Sequence, residues 1–99
     1  MDLNLITISD FKELLNQTLP VRFTPEVTLP AEVTELTELG GYSPIERTPF
    51  SVVIRTTQKN EYYKQSTYII EHPTLGDLPV FLVPLGFDEK GMKYEAVFS

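Results

Sequence analysis

His72 is the only histidine in the chain, and so its only imidazole for acid–base chemistry near neutral pH. A nucleophilic triad would need Asp77 or Asp88 beside that ring and an activated serine in front of it. No Gly-x-Ser-x-Gly turn is present to strain and expose such a serine. His72 stands directly before Pro73, where a strand is expected to end. The expected role is structural, with the ring bonded to backbone or water. A multi-histidine metal site is excluded.

The remaining polar clusters are equally poor in chemistry. Asp88-Glu89-Lys90-Gly91 resembles a calcium loop only loosely. It lacks alternating Asp/Asn ligands and a distal Glu, and Lys90 would oppose a cation, so a hairpin turn is expected. Glu32, Glu35 and Glu38 read as a solvated face rather than a buried acid–base pair. Gly40-Gly41 runs into Tyr42-Ser43-Pro44 instead of a helix carrying Lys and Ser/Thr, so no phosphate loop exists. No cofactor and no metal are expected, and the chain does not read as an enzyme.

What is left is aromatic. The five tyrosines are Tyr42, Tyr62, Tyr63, Tyr68 and Tyr94. Such side chains suit the rim of a small barrel, and they also suit interfaces, where an apolar ring ends in a polar tip. Tyr62 and Tyr63 are adjacent, so in extended chain they point to opposite faces and at least one is exposed. Tyr42, Tyr62 and Tyr63 are the candidate partner-binding residues.

Composition bounds the partner. Eight Lys and Arg against fourteen Asp and Glu give a net charge of −6 with no basic run, so nucleic acid and anionic membrane surfaces are unexpected partners. A 41% apolar and 22% charged chain of 99 residues is an ordinary globular composition, expected to fold as a single domain over 1–99. Cysteine is absent, which removes disulfides and thiolate chemistry. Met1-Asp2-Leu3-Asn4 is not a basic leader, and no apolar run approaches eighteen residues. A cytoplasmic location is expected, with export lacking a cleaved signal, or association with a particle, left open.

The elements that must position these groups are mostly strands. Ser9 reads as an N-cap, and Phe11, Leu14 and Leu15 as the apolar face of a helix over about 9–17 that Pro20 closes. Leu3, Leu5 and Ile6 fit either a strand or a lead-in. Val21 and Phe23 alternate with polar residues up to an interruption at Pro25-Glu26. Leu29, Ala31 and Val33 then alternate until the phase slips, which a β-bulge near Thr34-Glu35 would repair. Pro30 implies a late start or an edge position. The stretch from Gly40 to Pro49 reads as a crossover loop, and Thr57-Gln58-Lys59-Asn60-Glu61 as a hairpin connection.

Four strands follow, around Phe50–Arg55, Thr67–Glu71, Val80–Val83 and Tyr94–Phe98, separated by turns at His72–Asp77 and Gly86–Gly91. Val80–Val83 is apolar on both faces and reads as a central strand covered on both sides, one of them by the N-terminal helix. No internal repeat is visible. The expected fold is mainly β (α+β): a six-stranded, largely antiparallel barrel or curved sheet with one short N-terminal helix plugging or covering an end. A two-sheet sandwich is the alternative.

Several of these segments resemble a known family. The segments are Phe50–Arg55, Gln65–Gly76 with its His72-Pro73-Thr74-Leu75-Gly76 turn, Phe81–Gly86, and Tyr94-Glu95-Ala96-Val97-Phe98. Together they are similar to a family of small bacterial proteins known as domain of unknown function 6916, mainly over residues 50–99. The family ending has Asn after the last Phe, where this chain has Ser99. The resemblance brings no catalytic or binding residues. It implies stand-alone small proteins, some with neighbours that resemble phage-tail collar proteins, and hence an assembly or accessory role.

The functional expectation is a non-enzymatic protein-interaction or assembly module, with a phage-tail-like or surface assembly as the setting the resemblance implies, meeting a protein partner or a second copy. The alternatives are a small barrel carrying an apolar ligand and, last, an enzyme using His72.

Overall fold

The structure is a computed structural model that describes residues 2–40 and 47–99. A single 3-10 turn (Leu3–Leu5) and a one-turn helix α1 (Ser9–Lys12) precede six strands. The strands are β1 (Thr18–Thr24), β2 (Val27–Glu38), β3 (Phe50–Arg55), β4 (Ser66–His72), β5 (Gly76–Phe87) and β6 (Met92–Phe98). They close a barrel in the order β1-β2-β3-β6-β5-β4, every pairing antiparallel. The expected barrel is the observed fold.

The connections are not the expected ones. β2 and β3 are paired neighbours, and Leu39 N donates to Pro49 O at 2.7 Å, so the Gly/Pro-rich stretch between them joins a hairpin. The polar segment 56–65 is the crossover, because β3 and β4 have no common ladder. β4 instead lies beside β1, which makes β1 to β4 a Greek key. Strand pattern reports which face of a strand is buried and says little about which neighbour it pairs with.

Helix α1 is much shorter than the expected 9–17. Asn16 adopts φ 67 and turns the chain, and its N–H donates to Val33 O at 2.7 Å while Gln17 O accepts from Val33 N at 2.9 Å. The edge of β2 captures the segment before a second helical turn can form. Ser9 is the first helical residue rather than the cap, and Asp10 reaches back to accept from Thr7 N at 2.8 Å. Ile6 is buried in the core, so residues 3–6 pack as a lead-in.

The bulge expected near Thr34 is present. Val33 pairs with Ile54 and Glu35 with Val53, leaving Thr34 as the extra residue. Pro30, however, sits inside β2 opposite Pro20. Two residues without N–H groups can face each other where the pair exchanges no hydrogen bonds. On its other side Pro30 has no ladder partner, since β2 meets β3 only from Glu32 onward.

The halves of the barrel repeat one another. Leu19↔Ala31, Pro20↔Pro30 and Val21↔Leu29 in the first hairpin recur as Tyr68↔Val80, Ile69↔Pro79 and Ile70↔Leu78, each 49 residues on. Both long middle strands carry one bulge where they meet the third strand, at Thr34 and at Leu85. The corresponding residues Val21 and Ile70 pair with each other, as a two-fold axis through that seam requires. Each half is also preceded by a cap. Phe11 stands edge-on to His72, with centroids 5.3 Å apart, and Tyr63 stacks on Phe23 at 4.6 Å; Phe23 and His72 correspond at the same 49-residue spacing. The internal repeat not visible in the sequence is therefore present in the fold.

Two aromatic clusters fill the ends of the core. At one end Phe50 and Phe98 stack at 4.7 Å with Phe11 against both. Arg47 covers this cluster, its guanidinium carbon 5.9 Å from the Phe50 ring and 5.7 Å from the Phe98 ring. Its Nη atoms donate to the carbonyls of Leu3, Ile6 and Ser99. At the other end Phe23, Tyr63, Tyr68 and Tyr94 cluster; the Tyr94 hydroxyl donates to Gln58 Oε1 at 2.7 Å and accepts from Tyr63 N at 3.1 Å. Burial pushes the Tyr94 hydroxyl above the usual tyrosine range.

The β5–β6 turn is tied to the crossover and to β3. Asp88 Oδ1 accepts from Lys90 N at 2.8 Å and Gly91 N at 2.9 Å, and Oδ2 accepts from Arg55 Nη1 at 2.9 Å. These donors, with the Lys90 N–H foremost, hold the carboxyl at about 2, below its ordinary 3.8. A folded-state value below the unfolded one stabilises the fold above the unfolded value. This contribution should be present above pH 3.8 and lost as pH falls through about 2, and Asp88→Asn should remove that part of the acid dependence in urea melts. A Cβ on Gly91 would lie 1.7 Å from Thr56 O. Gly91→Ala should therefore lower stability by about 3 kcal/mol, measured by chemical denaturation.

Candidate functional site

His72 ends β4 and is buried beneath α1. Its Nδ1 accepts from Thr74 N at 3.2 Å and Leu75 N at 3.1 Å. A ring nitrogen that accepts from two backbone N–H groups carries no proton, so the proton sits on Nε2, which donates to Asp10 O at 2.7 Å. Both nitrogens are spent on holding the plug and the β4–β5 turn. Asp88 belongs to the opposite end of the barrel, and Asp77 accepts from Arg22 at 3.0 Å instead of facing the ring. His72→Ala should cost about 2–3 kcal/mol by losing these bonds and the contact with Phe11, read from urea unfolding.

The carboxylates expected on a wet face divide. Glu35 and Glu38 are exposed, whereas Glu32 accepts from Arg55 Nη2 at 2.9 Å. Arg22 bridges the β1–β4 seam to Glu71 at 2.9 Å and Asp77 at 3.0 Å. That seam has only two ladder pairs, Val21↔Ile70 and Arg22↔Ile69, so the ion pairs reinforce its narrowest part. Among the described residues no group of three or more His, Asp or Glu side chains is placed to hold a metal ion.

The tyrosine candidates separate in space. Tyr62 is 56% exposed and meets Phe87 edge-on at 6.1 Å. Tyr63 turns the other way and packs on Phe23 and Tyr68, so its ring is committed to the core. Adjacent residues of an extended segment do point apart, and one of the pair is exposed. Tyr42 lies outside the described residues.

The sequence misplaced the exposed partner of Tyr62. β5 is not covered on both faces: Phe81 is 53% exposed, Val83 is half-buried, and Leu85 and Phe87 are exposed. Helix α1 plugs the end of the barrel and leaves this face bare. The bulge at Leu85 leaves it exposed as the extra residue and changes the strand's phase, so Phe87 pairs with Met92 and lies on the inner side at the end of the barrel, where it meets Tyr62, whereas Phe81 is on the outer face. On β6, Val97 is 54% exposed and lies on the same side of the sheet. Tyr62, Pro84, Leu85, Gly86, Phe87 and Met92 line a shallow depression of about 240 Å³. From Leu78 to Phe87 there is no charged residue.

The first half of the barrel supplies an internal control. At the 49-residue spacing Phe81 corresponds to Glu32 and Phe87 to Glu38; between them the two bulges fall two residues out of step, so Glu35 lies on the side of Val53 whereas Pro84 lies on the side of Tyr94. The same architecture thus accepts Glu-x-Thr-Glu-Leu-x-Glu on one middle strand and Phe-x-Val-Pro-Leu-x-Phe on the other. Nothing in the fold demands an apolar outer face on β5. The contrast within one sequence could have been found by aligning two of its three Leu-Pro dipeptides, Leu29-Pro30 and Leu78-Pro79.

In comparison with protein families, the model of a domain of unknown function (DUF6916) matches residues 6–98. The chain belongs to the DUF6916 family. The match spans the plug, both halves of the barrel and the bare face of β5, whereas the resemblance read from the sequence lay mainly in the second half. No curated protein and no solved structure matches the chain. For this DUF6916 member, any functional argument rests on the surface just described.

Proposed function

We propose that the protein is a non-enzymatic interaction or assembly module whose contact surface is the bare apolar part of β5, with Phe81 on its outer face and Phe87 beside Tyr62 at the end of the barrel. One observation carries this reading: the middle strand of the second half is apolar and bare where its counterpart in the first half is acidic. Solvent favours the acidic solution, so an apolar face kept in water points to something that covers it. The accessory role implied by the family resemblance agrees with this, as does a cytoplasmic or particle-associated setting. The carrier reading draws no support from an interior filled by Phe11, Phe50, Tyr94 and their neighbours. The enzyme reading draws none from a histidine whose two nitrogens are taken.

Such a surface concentrates its binding in a few aromatic anchors. Tyr62→Ala combined with Phe87→Ala should weaken the association of the full chain with its partner at least about tenfold, with the melting temperature nearly unchanged. The measurement is titration of the purified chain against the partner, or against itself, by calorimetry or sedimentation. Retention of full affinity by the double variant would remove β5 and Tyr62 as the contact.

A further inference from the structure

We infer that the barrel is built to open at one place, the β1–β4 seam, and that Arg22 is the latch that holds it shut. This device is independent of the contact surface proposed above.

The seam is the shortest in the barrel. β1 and β4 share two ladder pairs, Val21↔Ile70 and Arg22↔Ile69, whereas the other five seams have four to seven among the described residues. Both interruptions come from β1. Pro20 faces Pro30 in a pair that exchanges no hydrogen bonds, so the backbone groups of Pro20 and Arg22 point away from β2, toward β4. Arg22 can therefore exchange two bonds with Ile69. One step past Val21↔Ile70, the register sets Pro20 opposite Glu71, where proline can accept but has no N–H to donate. At the other end Phe23 is the extra residue between Arg22↔Thr28 and Thr24↔Val27, and the ladder with β4 stops there.

The two-fold axis shows that this shortness is not imposed by the fold. It exchanges the pair Arg22↔Ile69 with Pro20 opposite Glu71, and Pro20 corresponds to Ile69, which does carry an N–H. The architecture accommodates a full pair on both sides of Val21↔Ile70. The sequence leaves one of them incomplete.

What the backbone lacks, one side chain replaces. Arg22 Nη2 lies 2.9 Å from Glu71 Oε2 and 3.0 Å from Asp77 Oδ2, so it clasps β1 to β4 and to the start of β5. The three side chains are 37, 32 and 57% exposed, so dissolved ions compete for them. The opposite seam is closed more firmly: β3 and β6 share six pairs, and Phe50 stacks on Phe98 at 4.7 Å. Segments held by few backbone bonds near solvent open below the free energy of global unfolding. When this seam parts, β1 stays on β2 and β4 on β5, and the cylinder becomes a sheet whose free edges are β1 and β4. Val21 and Ile70, fully buried in the closed barrel, are then uncovered.

The test is native-state amide hydrogen exchange of the full chain by NMR, with the amides shared between β3 and β6 as the internal reference. The protection factor of the Ile69 N–H, which points to β1, should be at least about tenfold below that reference. In 1 M NaCl it should fall a further threefold or so while the reference holds, a readout that needs no variant. Arg22→Ala should lower it about three- to tenfold. Pro20→Thr supplies the missing N–H at an exposed position and should raise the protection of Ile69 and Glu71 about fivefold against the same reference.

Equal protection at the two seams overturns the inference, because the barrel then opens only by unfolding as a whole. Ile69 protection that ignores both salt and Arg22→Ala removes Arg22 as the latch. A Pro20→Thr chain in which Ile69 is no better protected refutes proline as the source of the weak seam.

Discussion

The barrel depends on two strands that each serve two neighbours. β2 pairs with β1 through its first half and with β3 through its second, and β5 divides itself between β4 and β6 in the same way. Six strands of ordinary length make a closed cylinder only if the sheet is strongly sheared, and a twelve-residue strand shared between two partners supplies that shear. The bulges at Thr34 and Leu85 mark where each strand has turned far enough to meet its third neighbour. Once this is in place, the caps, the aromatic end clusters and the outer faces follow.

Closure by two such units makes the molecule a comparison with itself. Away from the two bulges, corresponding positions face the same pleat and similar neighbours, so differences between them are not imposed by architecture. At the seam the difference is Arg22 against Glu71, a cation and an anion at matched places that pair across the axis. In the caps it is Phe11 on a hydrogen-bonded imidazole against Tyr63 on a phenyl ring. On the middle strands it is carboxylates against aromatics, and this last contrast bears on function because both sets meet solvent.

Much of the architecture was legible in the residues. Period-two alternation located five of the strands and an unbroken apolar run the other, β5, and the slip in phase after Val33 located the first bulge, because side-chain direction is a strictly local property. The buried, bonded state of His72 could be anticipated from Pro73 and the turn that follows. Strand order was not legible, since a polar crossover at 56–65 and a Gly-rich hairpin at 40–49 look alike until the ladders are known. Helix α1 was overestimated because Leu14 and Leu15 keep helical spacing while β2 claims the backbone beside them. Phe81 was misjudged because four apolar residues in a row suggest burial on both sides, but burial depends on whether anything lies over the strand. Few letters retain the repeat, Leu29-Pro30 against Leu78-Pro79 the one identical dipeptide among them, too little to register without the pairings.

Arg47 leaves a different kind of consequence. Its guanidinium collects the carbonyls of Leu3, Ile6 and Ser99 into one small volume over the Phe50 and Phe98 rings. The first and last stretches of the described chain are therefore spatial neighbours, bridged by a single side chain. A short linker between them would re-string the polypeptide as a loop without crossing the sheet, and fresh ends could be opened between the half-barrels at the exposed Asn60-Glu61 of the crossover. The order of the two half-barrels along the chain would then be a matter of where synthesis starts rather than a requirement of the fold.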